Sequence, residues 1–381
     1  MIWVLLKLML TRGLSINRWN NFPRIENVSL LDNLWNTLHI ALFLAYLEEK
    51  NWQIVDKEFL IKRIIFSSFK TLILSDINSW TREAILKVDK NIFSKLEQKA
   101  QNYLLALDWP DYIKADIKEV LENKDKILEL NILKASKKYA WYIECKVNQK
   151  VYEDMYEVPM AEIMLWLEKY KEILPSFKTL LNNSNYQKYL SHLRRLSHSM
   201  RWNQQTRIFP ISVMSHLVII TFLAYIIWKM ENHNWKNYDM LTLLQKAIYH
   251  DIPEAITWDV IAPTKRAVPG FAEALEKVEI SMMDEFLFSC VESDYKKQVY
   301  WFMLEPFEGE TWKLVKYADI ISSLFEAKVE VNHWSQNFID VYRWIKQKVN
   351  TFDSLAVNYI LKHWIDGFDD KSNDDILLER Y

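Results

Sequence analysis

The chain repeats itself. Arg18-Trp19-Asn20 recurs as Arg201-Trp202-Asn203, Arg24-Ile25 as Arg207-Ile208, Ser29 as Ser212, Trp52 as Trp235, Leu60 as Leu243, Asp76 as Asp259 and Ala135 as Ala318, each pair 183 positions apart. A constant offset over so long a stretch predicts one domain present twice, and a period of 183 is far too long for a solenoid repeat. The expected domains are residues 1–181 and 186–381, joined near Asn182-Asn183-Ser184-Asn185.

Both halves read as helix. Apolar residues recur at helical spacing in Leu34 to Glu49, Ala161 to Leu174 and Leu241 to Ile248, while strand-like alternation is scarce, so the expected fold is all-α with two tandem helical domains. Proline and glycine gather at Pro253, Pro263, Pro269 and Gly270, which marks a structured loop after a helix. Met1 to Leu10 is apolar but is broken by Lys7, with no small-residue cleavage site before Arg12, and predicts a buried first helix. The longest apolar stretch, Leu217 to Trp228, falls short of the ~20 residues of a membrane span, so no transmembrane helix is expected.

A net charge of −2 supplies no broad field for a nucleic acid polymer or an anionic membrane, so any bound anion must be held locally. Two cysteines are too few for a disulfide framework and fit a reducing, cytoplasmic setting.

The second half holds a set of residues that apolar packing does not explain. His216 enters a strongly apolar helix, His250-Asp251 ends another, and Asp319 lies within the apolar run Leu314 to Ile321. A buried carboxylate without a partner is costly and calls for a cation. Two imidazoles and two carboxylates suit a mid-to-late first-row divalent ion with positions left open for water and substrate. Glu254 follows His250 by four and Asp251 by three, which on one helix would place it on the same face. Pro253 should distort that turn and aim Glu254 and Asp259 into the site. Arg201 and Lys265 are candidate phosphate partners, and Trp202 could stack on a sugar or base.

Arg201-Trp202, then His216, His250-Asp251-Ile252-Pro253-Glu254, Thr257-x-Asp259, Pro263-x-Lys265 and Lys316-x-Ala318-Asp319 together resemble the HD-domain superfamily of metal-dependent phosphohydrolases, and within it the bacterial 5′-deoxynucleotidases. The resemblance covers Tyr189 to about Phe338. It implies an α-helical enzyme holding one divalent ion (Mn²⁺, Co²⁺ or Zn²⁺) on His216, His250, Asp251 and Asp319. Glu254 and Asp259 would serve proton transfer and the positioning of water or leaving group, Arg201 would grip phosphate, and Trp202 would lie against the sugar. The implied substrate is a (deoxy)nucleoside monophosphate. Two alternatives stay open: an HD-type phosphodiesterase acting on a cyclic nucleotide or alarmone, and a nucleotide-binding regulator without turnover. The family usually carries Glu before its first metal histidine, where this chain has Ser215, and glycine where Trp258 and Trp334 stand.

Subtracting 183 from each ligand gives Asn33, Ser67-Ser68 and Ser136, with Thr71 in place of Glu254, while Arg18, Trp19 and Asp76 persist. Neutral Asn and Ser oxygens are poor ligands for such an ion, so the first copy should be metal-free and inactive. Pro175-Ser176-Phe177 resembles the segment that closes the family's domain, suggesting a structurally complete copy. Family members commonly pair, so the dead copy is expected to stand in as a dimer-like partner or to bind nucleotide through Arg18 and Trp19, and a homodimer of the whole chain is open.

The glycine count is abnormal: 4 where the usual ~7% would give about 27, beside 17 tryptophans. Trp52, Trp235, Trp258 and Trp334 sit where turn chemistry favours glycine. Some genetic codes read UGA as glycine, and mistranslation of that codon would print tryptophan, so some of these positions are expected to be glycines in the living protein, the alternative being a chain genuinely rich in tryptophan.

Overall fold

The structure is a computed structural model that describes residues 2–74, 77, 79–258, 260, 264, 265 and 267–369. Asp76, Asp259 and Pro263 lie outside the described residues. Among the described residues the protein is helical, with two isolated β-bridges, Asn17 with Ser29 and Met200 with Ser212, again 183 apart.

The first half runs through α1 (Trp3–Leu8), α2 (Leu30–Lys50), α3 (Lys57–Leu74), α4 (Ser79–Val88), α5 (Ile92–Ala106), α6 (Asp111–Glu122), α7 (Ile127–Gln149), α8 (Glu153–Ile173) and α9 (Pro175–Asn182). The second runs through α10 (Ser184–Leu193), α11 (Val213–His233), α12 (Met240–Tyr249), α13 (Glu254–Thr257), α14 (Phe271–Phe286), α15 (Ser293–Leu304), α16 (Trp312–Asn332), α17 (Ile339–Val349) and α18 (Leu355–Trp364). As the apolar start implied, α1 is buried and continues into a short π-helical turn, Met9–Gly13. The expected linker is not a flexible tether. Asn183 alone separates α9 from α10, and its side chain caps α10 by accepting from the Asn185 and Tyr186 amides.

The two copies keep the 183 spacing through α3 and α12, whose first turns are capped alike by Asp56 and Asp239. By α6 and α15, Asp111–Glu122 against Ser293–Leu304, the spacing has become 182. The pairing of Ala135 with Ala318, and of Ser136 with Asp319, is therefore one residue out of register: Asp319 corresponds to Lys137.

The long helices α2 and α11 are the centre of the molecule and pack on each other. Almost every residue of α11 is buried, including polar Ser215, His216 and Thr221. Its length and apolarity would allow it to cross a membrane, yet 89% of its most apolar window is covered by protein, as befits a core helix. Between the two helices lies Asp32. Its carboxylate completes the capping box at the start of α2 by accepting from the Ser29 amide (2.9 Å). It also accepts from Ser215 of the second copy (2.7 Å) and from Ser212. Burial pushes the Asp32 carboxyl up, and these donors act against that. Asp32 and Ser215 are themselves 183 apart, so one acid at this pseudo-two-fold position serves both helices.

Six non-glycine residues in the described chain have positive φ, and all six are tryptophan: Trp19, Trp52, Trp202, Trp235, Trp258 and Trp334. Trp52, Trp235 and Trp334 each follow a long helix, with the next residue's amide returning to a carbonyl of the last turn: Gln53 to Glu48 (3.1 Å), Lys236 to Glu231 (3.3 Å) and Ser335 to Glu330 (3.0 Å). That is the Schellman ending, whose left-handed residue is usually glycine. Trp258 has φ 68° and ψ 165°, a region essentially reserved for glycine.

Candidate metal centre

The site assembles where α11, α12 and α16 meet. His216 sits in the first turn of α11 and is fully buried. Its Nδ1 faces the Glu326 carboxylate at 2.7 Å and the Ser322 hydroxyl at 3.1 Å, both on α16, which leaves Nε2 to point at Asp319 Oδ1, 3.1 Å away. His250 caps the end of α12, its Nδ1 against the Ala247 carbonyl at 3.2 Å, and its Nε2 is buried with no hydrogen-bond partner. Ligand atoms of His216, His250 and Asp251 all lie within 4.8 Å of one another. Asp319 joins them through its contact with His216.

An orphaned imidazole nitrogen aimed into a knot of carboxylates fits a cation of the N/O-ligand type. The residues expected to hold a divalent ion are thus brought together, and the ion's charge would balance the surplus of acids. Arg201 lies in the same cleft. Burial opposes its charge, but Glu326, Asp319, Asp251 and Glu254 outweigh that and raise its pKa. Burial likewise pulls against Asp319, and the His216 imidazole and Arg201 prevail, holding its carboxyl down at about 2. For His216, burial and Arg201 push down while Glu326 and Asp319 push up, and the net direction is upward.

One expectation changes. α12 ends at Tyr249 and the chain turns through Asp251, Ile252 and Pro253, so Glu254 does not lie on the same helix as His250; it opens α13 instead, close enough to Arg201 to act on its charge. Pro253, at the N-cap of α13, is the residue that resets the direction. Lys265 is half-buried and lies near Glu279, whose carboxyl also feels Asp251. Asp259 lies outside the described residues. The Trp202 indole donates to Glu326 Oε2 (2.8 Å) and stands edge-on to Phe338, with part of its surface open.

Sequence reasoning missed Glu326, although it lies on α16 seven residues, two turns, beyond Asp319. Wholly buried, it receives His216 and Trp202 and is flanked by Arg201 (3.5 Å) and Arg207 (3.6 Å). It fixes the tautomer of His216 and turns Nε2 toward the ligand cluster. Four residues on, Glu330 ties down the preceding loop by accepting from Arg207 (3.1 Å) and from the Ile208 and Phe209 amides.

In the first copy the supporting groups survive without the centre they supported. Glu144 accepts from the Trp19 indole (2.9 Å) and from Asn33 Nδ2 (2.6 Å), as Glu326 does from Trp202 and His216. Asn148 accepts from the Ile25 amide as Glu330 does from that of Ile208. Both correspondences require the 182 spacing along α7 and α16.

The all-helical core and its His/Asp-lined cleft fit the metal-dependent phosphohydrolase class that the sequence resembles. The profile of the YfbR-like 5′-deoxynucleotidases matches twice, over residues 7–183 and again over 188–368, and the chain belongs to that family, as a tandem duplication of its domain. A 5′-deoxynucleotidase of Photobacterium profundum is 21% identical over 185 residues, which span 47% of this chain and 93% of the relative. One of Yersinia pestis is 24% identical over 195 residues, 50% of this chain and 97% of the relative. Among solved structures, an HD-domain phosphohydrolase of Listeria innocua aligns with a TM-score of 0.44 at 21% identity, covering 48% of this chain and 88% of its own.

Proposed function

We propose that the chain is a 5′-nucleotidase with a single working site, in its second copy, that removes phosphate from (deoxy)nucleoside monophosphates. The observation that carries this reading is the convergence of His216, His250, Asp251 and Asp319 with Arg201 in one cleft, beside Glu254. The names of the relatives support the substrate class.

His216, His250, Asp251 and Asp319 would hold the ion, which when bound supplies positive charge that acidifies water and neutralises phosphate oxygens. The guanidinium of Arg201, kept cationic by its acidic neighbours, binds the phosphoryl oxygens and orients phosphorus toward the cluster. Glu254 takes the proton of the attacking water as its oxygen bonds to phosphorus. The bond from phosphorus to the 5′ oxygen breaks, and a proton passes to that oxygen from Asp259, giving a nucleoside and inorganic phosphate. Lys265 adds charge at the mouth, and the open edge of the Trp202 indole lies against the sugar.

The test is phosphate release from a panel of deoxy- and ribonucleoside monophosphates with Mn²⁺, Co²⁺ or Zn²⁺. Wild type should release phosphate and bind about one ion per chain, and Asp251→Ala should lose both. Turnover of cyclic nucleotides with none of monophosphates would replace this reading with a phosphodiesterase. Neither metal binding nor turnover in the wild type would end it.

A further inference from the structure

The first copy has lost its ligands but has not gone blank: the cleft has changed sign. In the second copy the carboxylates of Asp251, Glu254, Asp319 and Glu326 face one guanidinium, Arg201. At the corresponding positions of the first copy stand Ser68, Thr71, Lys137 and Glu144, facing Arg18. Among the described residues, three of these four acids are replaced, one of them by an ammonium, while the guanidinium is kept. Lys137, the residue at the Asp319 position, lies seven before Glu144 as Asp319 lies seven before Glu326.

We propose that the vestigial cleft of the first copy is an anion site, in which the Lys137 ammonium stands where the second copy holds its cation and binds, with Arg18, the phosphate of a phosphomonoester that is not hydrolysed there.

Three further observations support it. Lys137 has no ion-pair or hydrogen-bond partner among the described residues, so its charge is available to a ligand. Burial lowers its pKa to about 8, and among the described residues Arg63, Lys70 and Arg18 act in the same direction while Glu97 opposes them. Glu97 is itself engaged by Arg82 (3.3 Å) and lies 3.7 Å from Lys70. Arg18 is held at the wall of the cleft, over the Trp141 ring at 5.2 Å and 4.0 Å from Glu144. Trp141 occupies the position of Ser323, to which Arg201 donates in the second copy (3.0 Å). Both arginines are thus anchored from the same point on α7 and α16, by different chemistry. An ammonium without a partner of its own, set among further cations, favours an anion that would complete it. Ser67 and Ser68 stand at the positions of His250 and Asp251, and their hydroxyls donate to the Ile64 and Ile65 carbonyls of their own helix, so no imidazole or carboxylate remains there to hold a metal.

The experiment uses the full chain loaded with Mn²⁺ and titrated with inorganic phosphate by calorimetry. Wild type should bind two phosphates per chain, one in each copy. Lys137→Met should bind one, and Lys137→Arg should bind two, the guanidinium restoring the charge. Phosphohydrolase turnover should persist in both variants, because Lys137 lies outside the working site, and this reports that they are folded. A deoxynucleoside monophosphate and its unphosphorylated nucleoside, titrated in parallel, tell a nucleotide site from a plain phosphate site: the nucleoside should not compete at the first copy. The proposal is overturned if Lys137→Met retains the stoichiometry and affinity of wild type, or if wild type binds only the phosphate that Arg201→Ala removes. Its failure leaves the reading of the second copy untouched, since that rests on turnover.

Discussion

At the scale of single residues, side-chain use separates the tryptophans into two kinds. Trp19 and Trp202 are left-handed yet employed: each indole is partly buried and donates to a buried glutamate. Trp52, Trp235, Trp258 and Trp334 are left-handed and idle, with 94%, 97%, 76% and 86% of their surface exposed. A left-handed residue with a Cβ costs roughly 1–2 kcal/mol, and an indole in water returns none of it. The backbone at these four positions is that of glycine, in line with the codon reading. Peptide masses from protein isolated from its source should therefore show glycine at 52, 235, 258 and 334; tryptophan there would refute it. In a recombinant chain carrying the tryptophans, Trp52→Gly, Trp235→Gly and Trp334→Gly should each raise stability by about 1 kcal/mol in denaturant unfolding. Glu326 belongs to this scale too. Replacing it by Gln keeps the shape but removes the charge that orients His216. Metal affinity should then fall about 10–100-fold with the helical circular dichroism unchanged, whereas unchanged affinity would deny Glu326 its positioning role.

Among the elements, α2 and α11 owe their fit to the acid between them. Asp32→Ser removes the shared acceptor and strands the donors of Ser29, Ser212 and Ser215, at a cost of about 2–4 kcal/mol. Because Ser215 is the symmetry mate, Asp32→Ser combined with Ser215→Asp moves the acid across the pseudo-two-fold and should recover most of that loss. A double variant no more stable than Asp32→Ser would show that the two positions are not equivalent. The elements also mark the limit of what the sequence could tell. The repeat, the helical class and the cluster of His216, His250, Asp251 and Asp319 were legible, because imidazole and carboxylate in apolar helices stand out against their surroundings. The residue opposite Asp319 was not. The first copy carries one more residue between α3 and α6 than the second does between α12 and α15, in a stretch where the copies share no motif, and the helix bounds and the partners of Glu144 and Glu326 reveal the shift. The lost helical face of Glu254 has a similar cause: Pro253 was read as bending a helix that in fact ends at Tyr249.

Across the whole molecule, the join between the copies has the character of a domain interior. Phe43, Tyr186, Tyr189 and Tyr295 pack together with His39, whose burial brings its pKa down to about 3, and Trp35 donates to the Ile248 carbonyl at 3.1 Å. Such a surface is too apolar and too well bonded to open before the helices on either side melt. Calorimetry of the metal-loaded chain should accordingly give one transition for both halves, and two separated transitions would refute a shared core.

The shared acid at Asp32 also makes the duplication hard to reverse. Two second copies brought face to face would meet serine against serine without the carboxylate that completes the seam, and two first copies would press carboxylate on carboxylate in a dry seam. With one acid serving both helices, each half matches the other better than it matches its own kind. Fusion holds the acid and its donors in one chain, which gives the first copy a packing role whether or not it ever meets a substrate.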